Sequence, residues 1–299
     1  MEKTRRLFFV FSVFILLVCL PASDQLAFSQ SQRSFLWRVQ SKTNTVYVLG
    51  SIHFFKKEAY PLHQKIENAF DQSEVLVVEA NVNDIAKLDI EKLVESAMYP
   101  DPETLERHVS AETYGLIKKE TGRVGIPLEL INRQKPWFLA LLLESLELLK
   151  LGFDPNYGID KYFLSRATGK KKIVELESLD YQIDLLSKFS DQEQELFLLY
   201  TVKDLRVLGQ ELDRLTQAWI SGDAKGMESI MTRGFVEDSR MSSVYEKLIL
   251  ERNRSMASKI EEFLRNKEIY FAVVGAAHLV GNQGIIEILK GKGYLVEQL

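Results

Sequence analysis

The sequence has a single cysteine among its 299 residues, Cys19, and this residue lies in an apolar run near the N-terminus. If that segment is removed as a signal peptide, the mature chain has no cysteine. Such a chain forms no disulfide and has neither a thiol nucleophile nor a thiolate ligand for a metal. Val18, rather than a small residue, precedes Cys19, which argues against attachment of a lipid to this cysteine.

The chain also lacks an excess of basic residues, because 42 acidic and 38 basic side chains give a formal net charge of -4. Nucleic-acid-binding proteins usually present a clustered basic face, so this balance argues against a nucleic-acid partner. The basic run Lys170–Lys172 is short. We interpret it as a solvated approach to the strand that follows.

The apolar run at the N-terminus, Leu7–Leu20, is too short to span a membrane comfortably. Basic residues precede it and Ala27–Ser29 follows it, which is the layout of a secretory signal peptide. We therefore predict a signal peptide over residues 1–29. Cleavage after Ala22 and an uncleaved membrane anchor are alternatives, and only the anchor would attach the protein to a membrane. With cleavage the protein is expected to be secreted or periplasmic, and with an uncleaved anchor its body is expected to face outside the cytoplasm.

Histidine is scarce as well, with four residues in the chain, and two of them share a Gly-x-x-His spacing after an apolar segment. Val46–Ser51 leads to His53, and Tyr270–Val274 leads to His278. A glycine lets the backbone leave a strand tightly or lets another group approach closely. A histidine after a buried strand lies near the crevice where α/β proteins bind ligands. Chance turns are the alternative, but the repetition favours a shared site. The other histidines are predicted surface groups: His63 and His108.

Predicted strands lie near the two ends of the sequence, and predicted helices fill the middle. The strand segments are Ser34–Gln40, Val46–Ser51, Glu74–Ala80, Lys172–Glu177, Ile269–Val274 and Tyr294–Gln298. Since the two ends must meet in one sheet, we predict one α/β domain over residues 30–299. Its central mixed sheet is formed by N- and C-terminal strands. A large helical region, about 84–266, is interrupted by the strand near 171–177.

Four side chains stand at the ends of apolar strands: His53, Glu79, Glu177 and His278. Two imidazoles with one or two carboxylates suit Zn, Mn, Co or Fe(II). A metal there would lower the pKa of bound water and polarise a carbonyl, which favours hydrolysis. A spare carboxylate would serve as general base. Without metal, the same groups suit acid–base chemistry with histidine as proton shuttle. For each carboxylate alone, a helix cap or a salt bridge is the alternative.

Two other charged positions are candidates for the same site. If Arg252 is buried, it would bind a carboxylate or a developing oxyanion; an exposed helix charge is the alternative. Asp160 is either a partner that orients a histidine or the N-cap of its helix, and the cap is favoured. The leucine-rich helix from Lys135 to Leu151 is expected to be core rather than an exposed binding face.

Taken in order, these motifs resemble the TraB/GumN family, which includes the Tiki-type metalloproteases. Ser51 and Ser178 stand where threonine is common in that family, and both retain a hydroxyl group. The resemblance covers nearly all of the mature chain. The matching segments are Leu49–His53, Val77–Ala80, Lys135–Trp137, Gly158–Asp160, Leu176–Ser178 with Gln182, Arg252–Asn253, and Val274–Leu279 with Gly281.

The resemblance implies an α/β core akin to the Tiki, erythromycin-esterase-like and ChaN-like proteins. For the Tiki branch it also implies a divalent-metal-dependent peptidase. We predict that His53, Glu79 and His278 bind Mn, Co or Zn, with Glu177 as a further ligand or the general base. Arg252 and Asn253 would orient a peptide or protein substrate. A non-catalytic or regulatory protein that binds a peptide or pheromone in the same cleft is the alternative. A metal-free hydrolase or transferase is a third hypothesis.

Overall fold

The computed structural model describes residues 33–83 and 88–299, apart from the side chains of residues 234, 236 and 237. The predicted signal peptide and Cys19 lie outside these residues. The described chain is an α/β structure built on a six-stranded mixed sheet, which confirms the predicted class. The strands are β1 (Leu36–Gln40), β2 (Thr45–Ser51), β3 (Val75–Val78), β4 (Lys172–Glu175), β5 (Tyr270–Gly275) and β6 (Leu295–Gln298).

The order of strands in the sheet is β4-β3-β5-β2-β1-β6. The first four are parallel to one another, and β1 is antiparallel to both β2 and β6. The two ends of the chain meet as predicted, because β2 pairs with β5 in a register that places Ser51 opposite Gly275. Every residue of β3 is buried, as its uninterrupted apolar run predicts for an interior parallel strand. The two Gly-x-x-His motifs therefore lie side by side.

Helices cover the sheet and form most of the middle of the chain. Residues Asp191–Asp204 and Leu208–Ile220 form two separate helices, and a π-helix over Glu246–Leu250 lies within the helical segment 242–263. The helices are α1 (Gln64–Gln72), α2 (Ile90–Ala97), α3 (Leu105–His108), α4 (Ala111–Val124), α5 (Leu128–Ile131), α6 (Pro136–Lys150), α7 (Ile159–Ala167), α8 (Leu179–Ser187), α9 (Asp191–Asp204), α10 (Leu208–Ile220), α11 (Ala224–Glu237), α12 (Ser242–Tyr245), α13 (Glu251–Phe263), α14 (Ala276–Leu279) and α15 (Ile285–Gly291).

The hydrophobic core has two parts. One surrounds the sheet and includes Phe163 and Phe271, whose ring centroids lie 4.8 Å apart. The other lies among the helices of the middle region and includes Trp137 and Phe197. Ala277, in the second Gly-x-x-His motif, packs against both parts. Within residues 33–83 and 88–299, no helix is long and apolar enough to cross a membrane.

Candidate functional site

The four parallel strands bring the four predicted strand-end residues to one edge of the sheet. In the order of the sheet, β4 leads to Glu177, β3 to Glu79, β5 to His278 and β2 to His53. This is the edge at which open α/β sheets bind their ligands. The side chains of His53, Glu79 and His278 line one cavity of about 510 Å³. The sequence motifs thus converge on a common site.

The two glycines of the Gly-x-x-His motifs serve different contacts. A Cβ atom on Gly50 would lie 2.2 Å from Phe35, while the carbonyl of Gly50 accepts a hydrogen bond from Nε1 of Trp219 at 2.7 Å. The N–H of Gly275 donates to Oε1 of Glu79 at 2.5 Å, and a Cβ atom on Gly275 would lie 3.0 Å from that oxygen. Gly50 therefore permits core packing, and Gly275 permits the approach of a site carboxylate.

His53 is held by Asp160 at the start of α7. Nδ1 of His53 and Oδ1 of Asp160 are 3.0 Å apart, and Oγ of Ser51 donates to the same carboxylate oxygen at 2.9 Å. The predicted N-cap role of Asp160 is wrong, because Gly158 holds the N-cap position. Gly158 lets the helix start approach closely, since a Cβ atom there would lie 2.0 Å from the carbonyl oxygen of His53. Asp160 therefore binds His53 and does not cap the helix.

His278 is held in a similar way by Asn253 of α13. Nδ1 of His278 lies 2.7 Å from Oδ1 of Asn253, and Nδ2 of Asn253 donates to the carbonyl of Gln283. This second bond fixes the amide so that its oxygen faces the ring, and the ring nitrogen Nδ1 is then the donor. Asn253 is 1% exposed. Its contacts support a role in positioning His278.

Arg252 joins the two glutamates of the site. Its Nη2 donates to Oε2 of Glu79 at 2.9 Å and to Oε2 of Glu177 at 2.8 Å, and its Nε donates to Glu177 at 3.0 Å. Nη1 donates to the carbonyl of Leu248, and Gln182 donates to Glu177. Buried charges require such pairing. The guanidinium therefore holds both carboxylates in place, although it also forms part of the cavity wall.

The surroundings of the two histidines shift their pKa values in opposite directions. Burial lowers the pKa of His53, but the charge of Asp160 and its hydrogen bond outweigh burial and raise this pKa to about 9. Burial and the nearby charge of Arg252 lower the pKa of His278 to about 3. Burial favours protonated Glu79, but the charges of Arg252 and His53 and the hydrogen bond from the N–H of Gly275 outweigh it and lower the pKa of this carboxyl group.

The nitrogen and oxygen atoms around the cavity are of the types that bind divalent transition metals. Both imidazoles use Nδ1 for an oxygen partner, an arrangement that orients a histidine and assigns Nε2 to a metal. Nε2 of His278 lies 3.9 Å from Oε1 of Glu79. Among the residues that the structure describes, no group of three or more His, Cys, Asp or Glu side chains is close enough to hold a metal ion. The donor atoms are therefore of the types that a transition metal binds. The side chains would have to move closer together to bind one metal ion.

The remaining two histidines lie in other parts of the fold. His63 is the N-cap residue of α1, where Nδ1 accepts from the N–H of Lys65. His108 ends α3, stacks on Tyr99 and lies 3.1 Å from Glu103. Neither lines the cavity. The pairing of only His53 and His278 in one site is as the sequence predicts.

Part of the cavity wall is apolar, and of its residues the sequence indicated only those of the leucine-rich helix as a candidate binding face, with core favoured. The wall comes from the helical middle region and is apolar. Its residues are Leu141 of α6, Leu185 and Leu186 of α8, Met231 of α11, and Leu248 and Ile249 of the π-helix. Their spacing in the sequence is that of ordinary core residues. No sequence signal distinguishes them, because their role depends on how four separate helices converge.

The chain belongs to the TraB/PrgY/gumN family, whose model matches residues 35–298. It is 26% identical to the uncharacterized protein YbaP of Escherichia coli over 245 residues, which is 82% of this chain and 87% of YbaP. No solved structure matches the chain significantly.

More distant similarity connects the chain to animal metalloproteases. It is 23% identical to a metalloprotease TIKI homolog of Amphimedon queenslandica over 345 residues, covering 95% of this chain and 65% of that protein. It is also 23% identical to metalloprotease TIKI2 of Xenopus tropicalis over 315 residues, covering 88% of this chain and 59% of that protein. These TIKI proteins are therefore considerably longer than the region that they share with this chain.

Proposed function

We propose that this protein is a divalent-metal-dependent hydrolase that cleaves peptide bonds outside the cytoplasm. The observation that carries the proposal is the convergence of His53, Glu79 and His278 at the carboxyl ends of three neighbouring parallel strands, around one cavity. Similarity to proteins named metalloproteases supports the reaction class. The signal-like N-terminal sequence supports the location.

In this proposal His53 and His278 hold the metal through Nε2, and Glu79 supplies a carboxylate. A bound divalent ion would polarise the substrate carbonyl and lower the pKa of a bound water. Asp160 and Asn253 orient the two rings, which sets the nitrogen that each presents. Since Arg252 bonds to Glu177 and Glu79 together, it holds both carboxylates in place.

The geometry favours Glu79 over Glu177 as the carboxylate that acts on water or substrate. Glu79 lines the cavity, whereas Glu177 lies behind it and is bound by Arg252 and Gln182. A general base must come within hydrogen-bond reach of the proton that it removes. We assign Glu177 to the support of Arg252, and through it of Glu79.

The proposal is tested on the chain from residue 30 onward, prepared free of metal and then incubated with Zn, Mn or Co. Bound metal is measured by elemental analysis, and cleavage is followed by mass spectrometry on a peptide library. We expect about one ion per chain and metal-dependent cleavage in the wild type. The double variant His53→Ala/His278→Ala should lose both, while a matched variant, His63→Ala/His108→Ala, should retain both.

Circular dichroism separates loss of function from loss of fold, because each variant should keep a cooperative thermal transition. Failure of the wild type to bind any of the three metals would contradict metal dependence. Cleavage that survives exhaustive chelation and still requires His53 would identify a metal-free hydrolase. Tight peptide binding without cleavage, unaffected by chelator, would identify a binding protein instead.

A further inference from the structure

The cavity has two chemically different sides. The sheet edge presents His53, Glu79, His278 and, through α13, Arg252. Another part of the lining is apolar except for Gln182 of α8, with side chains from the helical middle region: Leu141, Leu185, Leu186, Met231, Leu248 and Ile249. Leu141 and Leu185 are half-buried, and the other four are buried. We call these six residues the apolar wall.

The apolar wall borders an open space and does not only form the edge of the hydrophobic core. Protein interiors pack at the density of organic crystals, and a void forfeits dispersion contacts along its lining. Here α6, α8, α11 and the π-helix each direct apolar side chains at the same space, yet about 510 Å³ is left open. That volume lies within the range of about 300–1,000 Å³ typical of ligand pockets. These helices therefore pack on the hydrophobic core and also leave space for a ligand between them.

The position of the wall indicates which part of a ligand it contacts. Residues of the wall and of the polar side line the same cavity, so a group bound on the polar side lies next to the wall. Burial of a charged or polar side chain against the wall would remove its water without providing a partner. Burial of an apolar side chain would be favourable by about 25 cal/mol per Å² of apolar surface.

We propose that the apolar wall selects peptides with a large apolar side chain, such as leucine or phenylalanine, next to the bond that is cleaved. This inference rests on the proposed peptidase function and names its substrate class. Hydrolysis adds water across the amide bond, with hydroxide joining the carbonyl carbon and a proton joining the departing nitrogen. The wall takes no part in that step, and it determines which amide bond lies at the polar side.

The selection is measured with blocked peptides that differ at one position, carrying Leu, Phe, Gly, Asp or Lys there. Wild-type protein should cleave next to Leu or Phe with a kcat/KM at least about tenfold above that for Gly, as a hydrophobic specificity pocket provides. Mass spectrometry of the products shows on which side of the cleaved bond the apolar residue lies.

Two substitutions in the wall have matched controls at Leu149, an exposed residue of the same helix as Leu141. Leu185→Lys should lower kcat/KM for Leu and Phe peptides by about tenfold or more and raise it for the Asp peptide. Leu141→Ala should shift the preference from Leu toward larger side chains. Leu149→Lys and Leu149→Ala should leave the order of preference unchanged.

Measurements of peptide binding distinguish failure of this inference from failure of the proposed peptidase function. If the wild type cleaves peptides without apolar preference, the inference is wrong and the peptidase proposal stands. If it cleaves none, calorimetry with the Leu and Gly peptides decides. Preferential binding of the Leu peptide, lost in Leu185→Lys, would support the wall in a protein that is not a peptidase. Equal binding of both peptides, or no binding, would overturn it.

Discussion

At the scale of single residues, the main asymmetry of the site is that its two histidines have different partners. His53 has a carboxylate, Asp160, which favours the imidazolium. His278 has a neutral amide, Asn253, and lies near the cationic Arg252, so that it stays uncharged. Since a metal ion binds neutral imidazole, the proposed metal would displace a proton from His53 and none from His278. Both partners act by positioning, since they bind Nδ1 and leave Nε2 to the proposed metal.

Asp160→Asn retains an oxygen acceptor for His53 but removes its charge. We expect the affinity for the bound metal to fall by about 10- to 100-fold, which is typical when a partner of a metal-binding histidine is altered. Titration of the metal-free protein with Co²⁺, followed by absorption, measures the effect. Asp180→Asn, an exposed change on α8, is the control. An unchanged affinity in Asp160→Asn would refute the positioning role.

At the scale of elements, short structural irregularities place the site residues. The π-helix at Glu246–Leu250 runs directly into α13, and π-turns frequently occur at functional sites. Its Leu248 and Ile249 line the cavity, and the carbonyl of Leu248 accepts from Nη1 of Arg252. Likewise, the turn from β5 into α14 depends on Gly275, whose N–H binds Glu79. One continuous helical segment therefore contributes to both sides of the cavity, with Leu248 and Ile249 on the apolar wall and Arg252 beside the carboxylates.

Gly275→Ala tests the strand end. The added methyl group would lie 3.0 Å from Oε1 of Glu79 and 3.4 Å from Cδ2 of His278, so the carboxylate must move. We expect kcat/KM to fall severalfold, because the shift is a few tenths of an ångström and a misplacement of about 1 Å costs about 100-fold. Gly115→Ala is the control, since nothing lies within 4 Å of the added carbon. That helical site should gain about 0.5–1 kcal/mol in stability and keep activity. Full activity in Gly275→Ala would contradict this role of the glycine.

At the scale of the whole molecule, the two parts of the core are joined by continuous helices. In α6, Leu139 and Leu143 belong to the helical part and Leu148 to the sheet part. The helical segment 242–263 also joins the two parts of the core, because Leu248 belongs to the helical part and Met256 to the sheet part. Neither part can unfold alone without breaking a helix. The cavity at their boundary is therefore held from both sides, which is what a site with two chemically distinct walls requires.

This connection predicts a single unfolding transition. Phe271→Ala in the sheet part and Phe197→Ala in the helical part should each destabilise the protein by about 3–5 kcal/mol. Both should shift the same transition to lower urea concentration. Far-ultraviolet circular dichroism and tryptophan fluorescence measure it together, since Trp219 belongs to one part and Trp137 to the other. Separate transitions in either variant would show that the two parts unfold independently.

Much of the sheet and part of the site could be predicted from sequence because local patterns encode them. The run Val75–Val78 identifies a strand buried on both faces, and the two Gly-x-x-His motifs identify strand ends. The sequence allowed two roles for Asp160, and the cap was wrongly favoured because a residue at a helix start has that local explanation. The apolar wall was not predicted, since Leu185 and Ile249 have the sequence context of core residues.

The sequence by itself determined the strands, their polar ends and the α/β class, because hydrophobic periodicity and glycine placement act over a few residues. Only the tertiary structure decided the order of the parallel strands, which gathers His53, Glu79 and His278 at one edge. It also decided that Asp160 meets a histidine 107 positions away and that four helices leave a cavity opposite the sheet. These contacts join distant segments of the chain, and their formation depends on the packing of the whole molecule rather than on any local preference.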